Sequence, residues 1–222
     1  MKLVEMVFAV MMAALVAGCS AKYHVNVSGF LDVTRAQAVA PAARIFMVEE
    51  DQKNNLLFQD EVKQKIHGLL LSRGYTTGQA ESADYQLLFR YGMDSGQTVE
   101  GTRLVHEPSQ IVTVHRSNDR GGQSYSTIHM PGATYRVPYS ETIFGHWLTL
   151  YLYDAALTED ASIPNKPIWI GEISCHVSSS DLREIINPML VAAFEHFGQN
   201  THKRIRVTIK TTDPRVRQLN GD

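Results

Sequence analysis

Cysteine is nearly absent: Cys19 and Cys175 are the only two in 222 residues. No disulfide framework can hold such a chain, so its fold must rest on a hydrophobic core. A surplus of either charge is missing too. The 21 lysines and arginines nearly balance the 23 aspartates and glutamates, for a formal charge of −2 with histidines neutral. That balance gives no electrostatic reason to expect nucleic acid as a partner. Beyond residue 18 no apolar run approaches the roughly 20 residues that a helix needs to cross a bilayer. Nucleophile elbows, paired-cysteine motifs, zinc-protease helices and phosphate loops are all missing. Catalytic groups assemble in space and not in sequence, so this last absence excludes particular enzyme signatures and not catalysis as such. No residue is assigned a catalytic role, and no metal or cofactor is expected.

What is present begins at the amino end. Residues 6–16 form an apolar run, short for a membrane span and right for the hydrophobic region of a secretory signal, with Lys2 before it. Leu15, the small pair Ala17-Gly18 and Cys19 follow. Together they resemble the processing site of bacterial lipoproteins. The resemblance implies export, removal of residues 1–18, and acyl chains on the Cys19 thiol and its new amino group. Two or more chains anchor stably where one does not, since each buried methylene contributes about 0.8 kcal/mol. Ser20, where an aspartate would mark retention, implies release to the outer membrane. Glu5 departs from the basic leading segment of that family. The alternative is an uncleaved anchor or a buried first helix. On the first reading residues 19–222 form a single periplasmic domain attached to the membrane through Cys19.

Along that domain the hydrophobic period changes several times. Tyr23, Val25 and Val27 alternate with His24, Asn26 and Ser28, the pattern of a half-buried strand starting almost at the anchor. Residues 44–48 predict a second, more deeply buried strand. Phe58, Val62, Ile66, Leu69 and Leu70 recur at threes and fours and predict a helix over 56–73, stopped by Gly74. A strand over 83–91 completes a strand–helix–strand crossover and so a parallel pair. Residues 92–145 behave differently, with strand-like pieces at 111–115 and 126–137 around a polar turn at 117–124, and read as a long inserted hairpin. Next, residues 146–154 place Leu148, Leu150 and Leu152 on one side and Trp147, Tyr151 and Tyr153 on the other. A turn rich in acid and proline leads to a strand over 167–177, giving an antiparallel pair of central strands. A second helix follows Ser178–Asp181, with Pro188 expected to kink it or to open a new helix capped by Asn187. Ile205, Val207 and Ile209 alternate with basic residues in a closing, one-sided strand. The expected fold is α+β: a mixed, mostly antiparallel sheet with two helices packed on one face and a long inserted β-hairpin.

Three features carry a second resemblance. They are Gly74-Tyr75 with Ala83-Asp84-Tyr85, the Leu-Tyr-Leu-Tyr-Asp run at 150–154 followed by residues 168–172, and the helix ending Phe194-Glu195-His196-Phe197. In that order they resemble small Gram-negative outer-membrane lipoproteins classed as a domain of unknown function. The resemblance implies a sheet with two helices and an envelope location, and no known chemistry. The 92–145 insertion and the basic final strand depart from it.

Candidate sites each have a plainer alternative. His106, His115, His129 and His146 with Glu107 surround the insertion, but their spacing matches no compact ligand pattern and a scattered polar hairpin is favoured. Cys175 alternates with Ile173 and Val177, so a packed core thiol is favoured over a redox-active one. Trp147, Tyr151 and Tyr153 form a candidate binding surface for a glycan, peptide or protein, or a face covered by the insertion. Lys203, Arg204, Arg206, Lys210, Arg215 and Arg217 make the carboxyl end basic. This is either an attraction to anionic envelope polymers or the solvated side of an edge strand. The leading expectation is a lipid-anchored binding or adaptor module with an envelope protein or peptidoglycan partner. The alternative is a periplasmic enzyme or small-ligand binder with its site between the 92–145 hairpin and the sheet. The insertion is expected to be an accessory to the fold and the carrier of specificity.

Overall fold

The structure, a computed structural model, describes residues 21–34, 39–48, 55–117, 123–157 and 166–221. The signal, Cys19, the centre of the polar turn at 118–122 and the acidic connection at 158–165 lie outside the described residues. The strands are β1 (Lys22–Leu31), β2 (Arg44–Met47), β3 (Thr76–Thr77), β4 (Tyr85–Met93), β5 (Gln97–Glu107), β6 (Gln110–Ser117), β7 (Gln123–Met130), β8 (Ala133–Asp154), β9 (Trp169–Val177) and β10 (Ile205–Lys210). The α-helices are α1 (Leu56–Ser72), α2 (Leu182–Glu195) and α3 (Pro214–Asn220). The chain divides into two compact units, Gln97–Ile143 and the residues on either side of it.

In the larger unit the sheet order is β10-β1-β9-β8-β4-β2-β3. Only the β2–β3 and β2–β4 pairs are parallel; the crossover through α1 accounts for the second. The fold is α+β, a mixed and mostly antiparallel sheet with its helices on one face. Alternation puts Tyr23, Val25, Val27, Leu87, Phe89, Leu148, Leu150, Leu152, Trp169 and Ile173 on the helix side, where all are buried. Burying each aliphatic side chain contributes about 1.5–3 kcal/mol relative to exposure. β2 is less buried than its composition suggests: Ile45 is in the core, while Phe46 and Met47 are half-buried because the strand lies next to the sheet edge.

α1 starts where the Asn55 side chain accepts the Phe58 N–H at 3.2 Å, and buries Phe58, Val62, Ile66 and Leu70. It ends at Gly74, whose φ of 83° is the left-handed conformation that glycine adopts without strain. α2 is capped by Asp181, which accepts the Arg183 N–H at 2.9 Å. It then runs through Pro188 to Glu195 as one helix, so of the two alternatives at Pro188 the new helix capped by Asn187 is set aside. Proline at this position removes one bond, to the carbonyl of Glu184 in the first turn, and the core contacts of Ile185, Ile186, Met189 and Leu190 outweigh it. Asn187 is instead buried inside the helix, its Nδ2 donating to Asn220 Oδ1 at 2.5 Å. That partner belongs to α3, a helix absent from the sequence reading. Asp213 caps α3, Pro214 opens it, Gly221 closes it, and Val216 is buried beneath it.

Several of the residues behind the second resemblance hold the fold together. Tyr75, Trp169 and Phe194 surround Phe197, with ring centres 5.6, 5.0 and 5.1 Å from it. The Trp169 indole N–H donates to the Gln199 carbonyl at 2.9 Å. Asp84 accepts the Arg44 backbone N–H at 2.8 Å and pins β2 beside β4.

The smaller unit holds two antiparallel ribbons, one pairing β5 with the first half of β8 and one pairing β6 with β7. The expected strand at 126–137 is in fact two, separated at Pro131-Gly132, and β5 was not foreseen. β8 is a single strand of 22 residues that belongs to both units.

Candidate functional site

Antiparallel partners share a side of the sheet, so the pairing register states what the helix-free face of the larger unit carries. Leu88, Tyr151, Ile170 and Phe30 form one row across β4, β8, β9 and β1. Arg90, Thr149, Glu172 and Ser28 form the next row, so an apolar stripe is bordered by a polar one. Phe30 is 54% exposed and Trp147 is 43% exposed, while Leu88, Tyr151, Tyr153 and Ile170 are half-buried. The Arg90 guanidinium lies 5.9 Å from the Tyr151 ring centre, a cation–π contact that holds both side chains on the surface. Trp147 rests against Gly92, where a Cβ would stand 2.4 Å from its Cζ2. Glycine on β4 therefore lets the indole lie against the strand and leaves the rest of the ring in solvent.

The three aromatic residues singled out in the sequence thus lie on one face. Phe30, Leu88 and Ile170 extend that face and went unnoticed, although the same alternation that fixed Leu148, Leu150 and Leu152 inward fixes these three outward. At the end of the face, Asp94 Oδ1 accepts the backbone N–H groups of Gly145 at 2.8 Å and Gly96 at 3.0 Å. These bonds, with His176 and His146 nearby, hold its carboxyl below the usual carboxylate range.

His106 Nδ1 lies 3.0 Å from Thr134 Oγ1, and Glu107 accepts the Tyr135 hydroxyl at 2.9 Å. His129 is exposed. His146 is fully buried, with Nε2 donating to the Ser179 carbonyl at 2.9 Å and Nδ1 without a partner. Among the described residues no three His, Cys, Asp or Glu side chains form a set that could hold a metal ion. Cys175 is fully buried, and burial pushes its thiol up to about 11. Arg206 and Lys210 are exposed on the edge strand β10, while Arg215 is bound to Glu195 at 2.6 Å and Asp213 at 2.8 Å. No helix among the described residues is long and apolar enough to cross a membrane.

On the helical side a groove of about 680 Å³ runs between α1, α2 and α3, walled by Leu69, Val191, Phe194 and Leu219. Its rim charges largely neutralise one another: Lys65 reaches Glu61 at 2.6 Å, and Arg215 is engaged as above.

No family model and no curated protein matches the chain. Among solved structures it is similar to a PDZ domain protein from Parabacteroides distasonis, at 11% identity and a TM-score of 0.42. That likeness covers 90% of this chain and 42% of the other, so the chain spans less than half the length of that protein. It is also similar to PelC from Paraburkholderia phytofirmans, a dodecamer seen in two crystal forms, at 10% identity and a TM-score of 0.39 in each. There it covers 79% and 80% of this chain and 98% and 99% of those.

Proposed function

We propose that this chain is a lipid-anchored lipoprotein of the Gram-negative outer membrane, facing the periplasm, whose folded domain binds another envelope component as an adaptor and not as a catalyst. The partner is an envelope protein or peptidoglycan. The observation that carries the reading is the helix-free sheet face. It presents Trp147 against Gly92, an apolar stripe ending at the exposed Phe30, and Arg90 over Tyr151. Rigid aromatic area flanked by arginine is the composition that protein and glycan contacts favour. The address rests on the residues from Leu15 to Cys19. Because β1 begins at Lys22, an anchor at Cys19 would hold the sheet close to the lipid surface.

Two measurements test the two halves of this reading. Cys19→Ala should abolish incorporation of a fatty-acid analogue and displace the protein from the outer-membrane fraction. A wild type that takes up no label and keeps Met1 as its amino terminus defeats the anchor. A photocrosslinking amino acid at position 147 should capture a discrete envelope protein or co-sediment with peptidoglycan sacculi. The same group at the exposed Leu57 on α1 should do neither. Equal capture from both positions removes the sheet face from consideration. A second reading, a small-ligand binder, is favoured by the groove among α1, α2 and α3, and its site would then lie on the helical side.

A further inference from the structure

Residues 97–143 form a compact unit in which none of the described side chains is buried. A two-stranded ribbon is marginal in water unless one face is covered, so the composition of the faces matters. On the β5–β8 ribbon the rungs Gln97–Ile143, Val99–Glu141, Gly101–Tyr139, Arg103–Val137, Val105–Tyr135 and Glu107–Ala133 share one side. The other side carries Thr98, Glu100, Thr102, Leu104 and His106 opposite Thr142, Ser140, Pro138, Arg136 and Thr134. The first face is thus dominated by Val, Ile and Tyr, and the second is mainly polar. The β6–β7 ribbon repeats the asymmetry, with Val112, Val114, Ile128 and Met130 sharing a side. Val99, Tyr135, Tyr139, Val112, Ile128 and Met130 are all exposed. Alternation of this kind is written for a covered face.

Charge identifies what covers it. Arg103 stands at mid-strand on the apolar side and makes no ion pair among the described residues. Two rungs away on the same side is Glu141, likewise without a partner. A lipid-facing strand avoids an arginine at its centre, which argues against the bilayer as the cover. Across a two-fold axis at the Gly101–Tyr139 rung, Arg103 of each copy comes opposite the Val99–Glu141 rung of the other. One operation therefore satisfies both charges twice. At that centre the Tyr139 ring is folded onto Gly101, where a Cβ would collide with it, so the ring lies close to the strand. The ribbon is small: two strands of 11 residues offer roughly 350 Å² per copy at strand spacings, against about 800 Å² per partner in a standard interface, which is the size of a weak, concentration-dependent contact.

We infer that the apolar side of the β5–β8 ribbon is a self-association surface, occupied by the same ribbon of a second copy of this chain, with Arg103 of one copy paired to Glu141 of the other. The test is sedimentation analysis of the whole protein and of charge-reversed variants. Wild type should show a concentration-dependent dimer. R103E and E141R should each raise its dissociation constant about ten-fold or more, since each places like charges together twice. An equimolar mixture of R103E and E141R should recover the dimer as a heterodimer, because both crossed pairs become attractive. Both residues are outside the core, so at concentrations where wild type is monomeric the thermal midpoints should match and a folding defect can be told apart. A wild type that stays monomeric overturns the inference, as does a dimer that R103E leaves intact or a mixture no tighter than either variant alone. Equal binding of wild type and R103E to phospholipid vesicles, with the wild type monomeric, would assign the face to lipid instead.

Discussion

The chain has only two tryptophans, and the structure assigns them opposite roles, so replacing each by phenylalanine gives a quantitative check on the core. Trp169 is 1% exposed, packs against Phe197, and donates its indole N–H to the Gln199 carbonyl. Phenylalanine there removes the bond, worth about 1 kcal/mol net, and leaves a void where the larger ring was, for about 1–2 kcal/mol more. The expected loss for W169F is therefore about 2–3 kcal/mol, or roughly 5–10 °C in Tm for a chain of this size. Trp147 lies on the open face against Gly92, and W147F should cost about 0.5 kcal/mol or less. Urea unfolding followed by far-ultraviolet circular dichroism measures both without relying on the removed fluorophore. Each variant also isolates the other tryptophan. W147F should emit at short wavelength and resist iodide, while W169F should emit at long wavelength and be quenched. Equal destabilisation by the two changes, or a reversed quenching pattern, would refute the assignment of inner and outer faces from which everything said of the surface follows.

Three further outcomes are expected. Cys175 should react with a bulky thiol reagent far more slowly in the folded protein than after denaturation. Its thiol titrates higher when folded, so the native state holds a proton that the unfolded state releases, and stability should fall as pH rises from about 9 toward 11. Cys175→Ala should lessen that slope in a denaturation series, with Tyr23, Tyr75 and Tyr91, whose hydroxyls burial also pushes up, keeping the remainder. Asp94 shows the opposite sign: its folded carboxyl titrates below the ordinary range, so its contribution is present at neutral pH and lost as pH falls through the carboxylate range. The Tm of Asp94→Asn should consequently drop less than that of wild type between pH 5 and acid pH. Finally, among the described residues the core cluster contains none between 97 and 143. Replacing that stretch with a short turn from Gly96 to Phe144 should leave cooperative unfolding and a Tm within a few degrees of wild type, and loss of cooperativity in calorimetry would contradict it.

Patterns confined to one element were legible in the sequence, and patterns that depend on a distant partner were less so. Phe58, Val62, Ile66 and Leu70 announce α1 by spacing alone, and Leu148, Leu150 and Leu152 announce the buried side of β8. β5 could not be read in the same way: Thr98, Glu100, Gly101 and Arg103 give weak strand character until β8 supplies the opposing Tyr135, Val137 and Tyr139. α3 carries its signals in the sequence, since Asp213-Pro214 and Gly221 are the start and stop that a short helix needs. Asn187 looked like a cap because proline follows it, and only the docking of α3 explains a buried amide there. For the binding surface, the alternation at Trp147, Tyr151 and Tyr153 was visible. The row from Leu88 to Phe30 required knowing that β1 and β4 lie on either side of the central pair.

The position of β1 has a kinetic consequence. The first strand of the described chain lies in the interior of the sheet, and both its neighbours come late: Val27 pairs with Ile173 on one side and with Ile205 on the other. Chain closure over such separations is slow, and nothing local can hold β1 in place while it waits. A polypeptide emerging amino end first therefore cannot complete this sheet until β10 has arrived, and remains threadable until then. Once closed, the ladder makes the opening strand one of the last to let go. A pull applied near residue 21 would have to shear hydrogen bonds to β9 and β10 together, instead of peeling a strand from an edge.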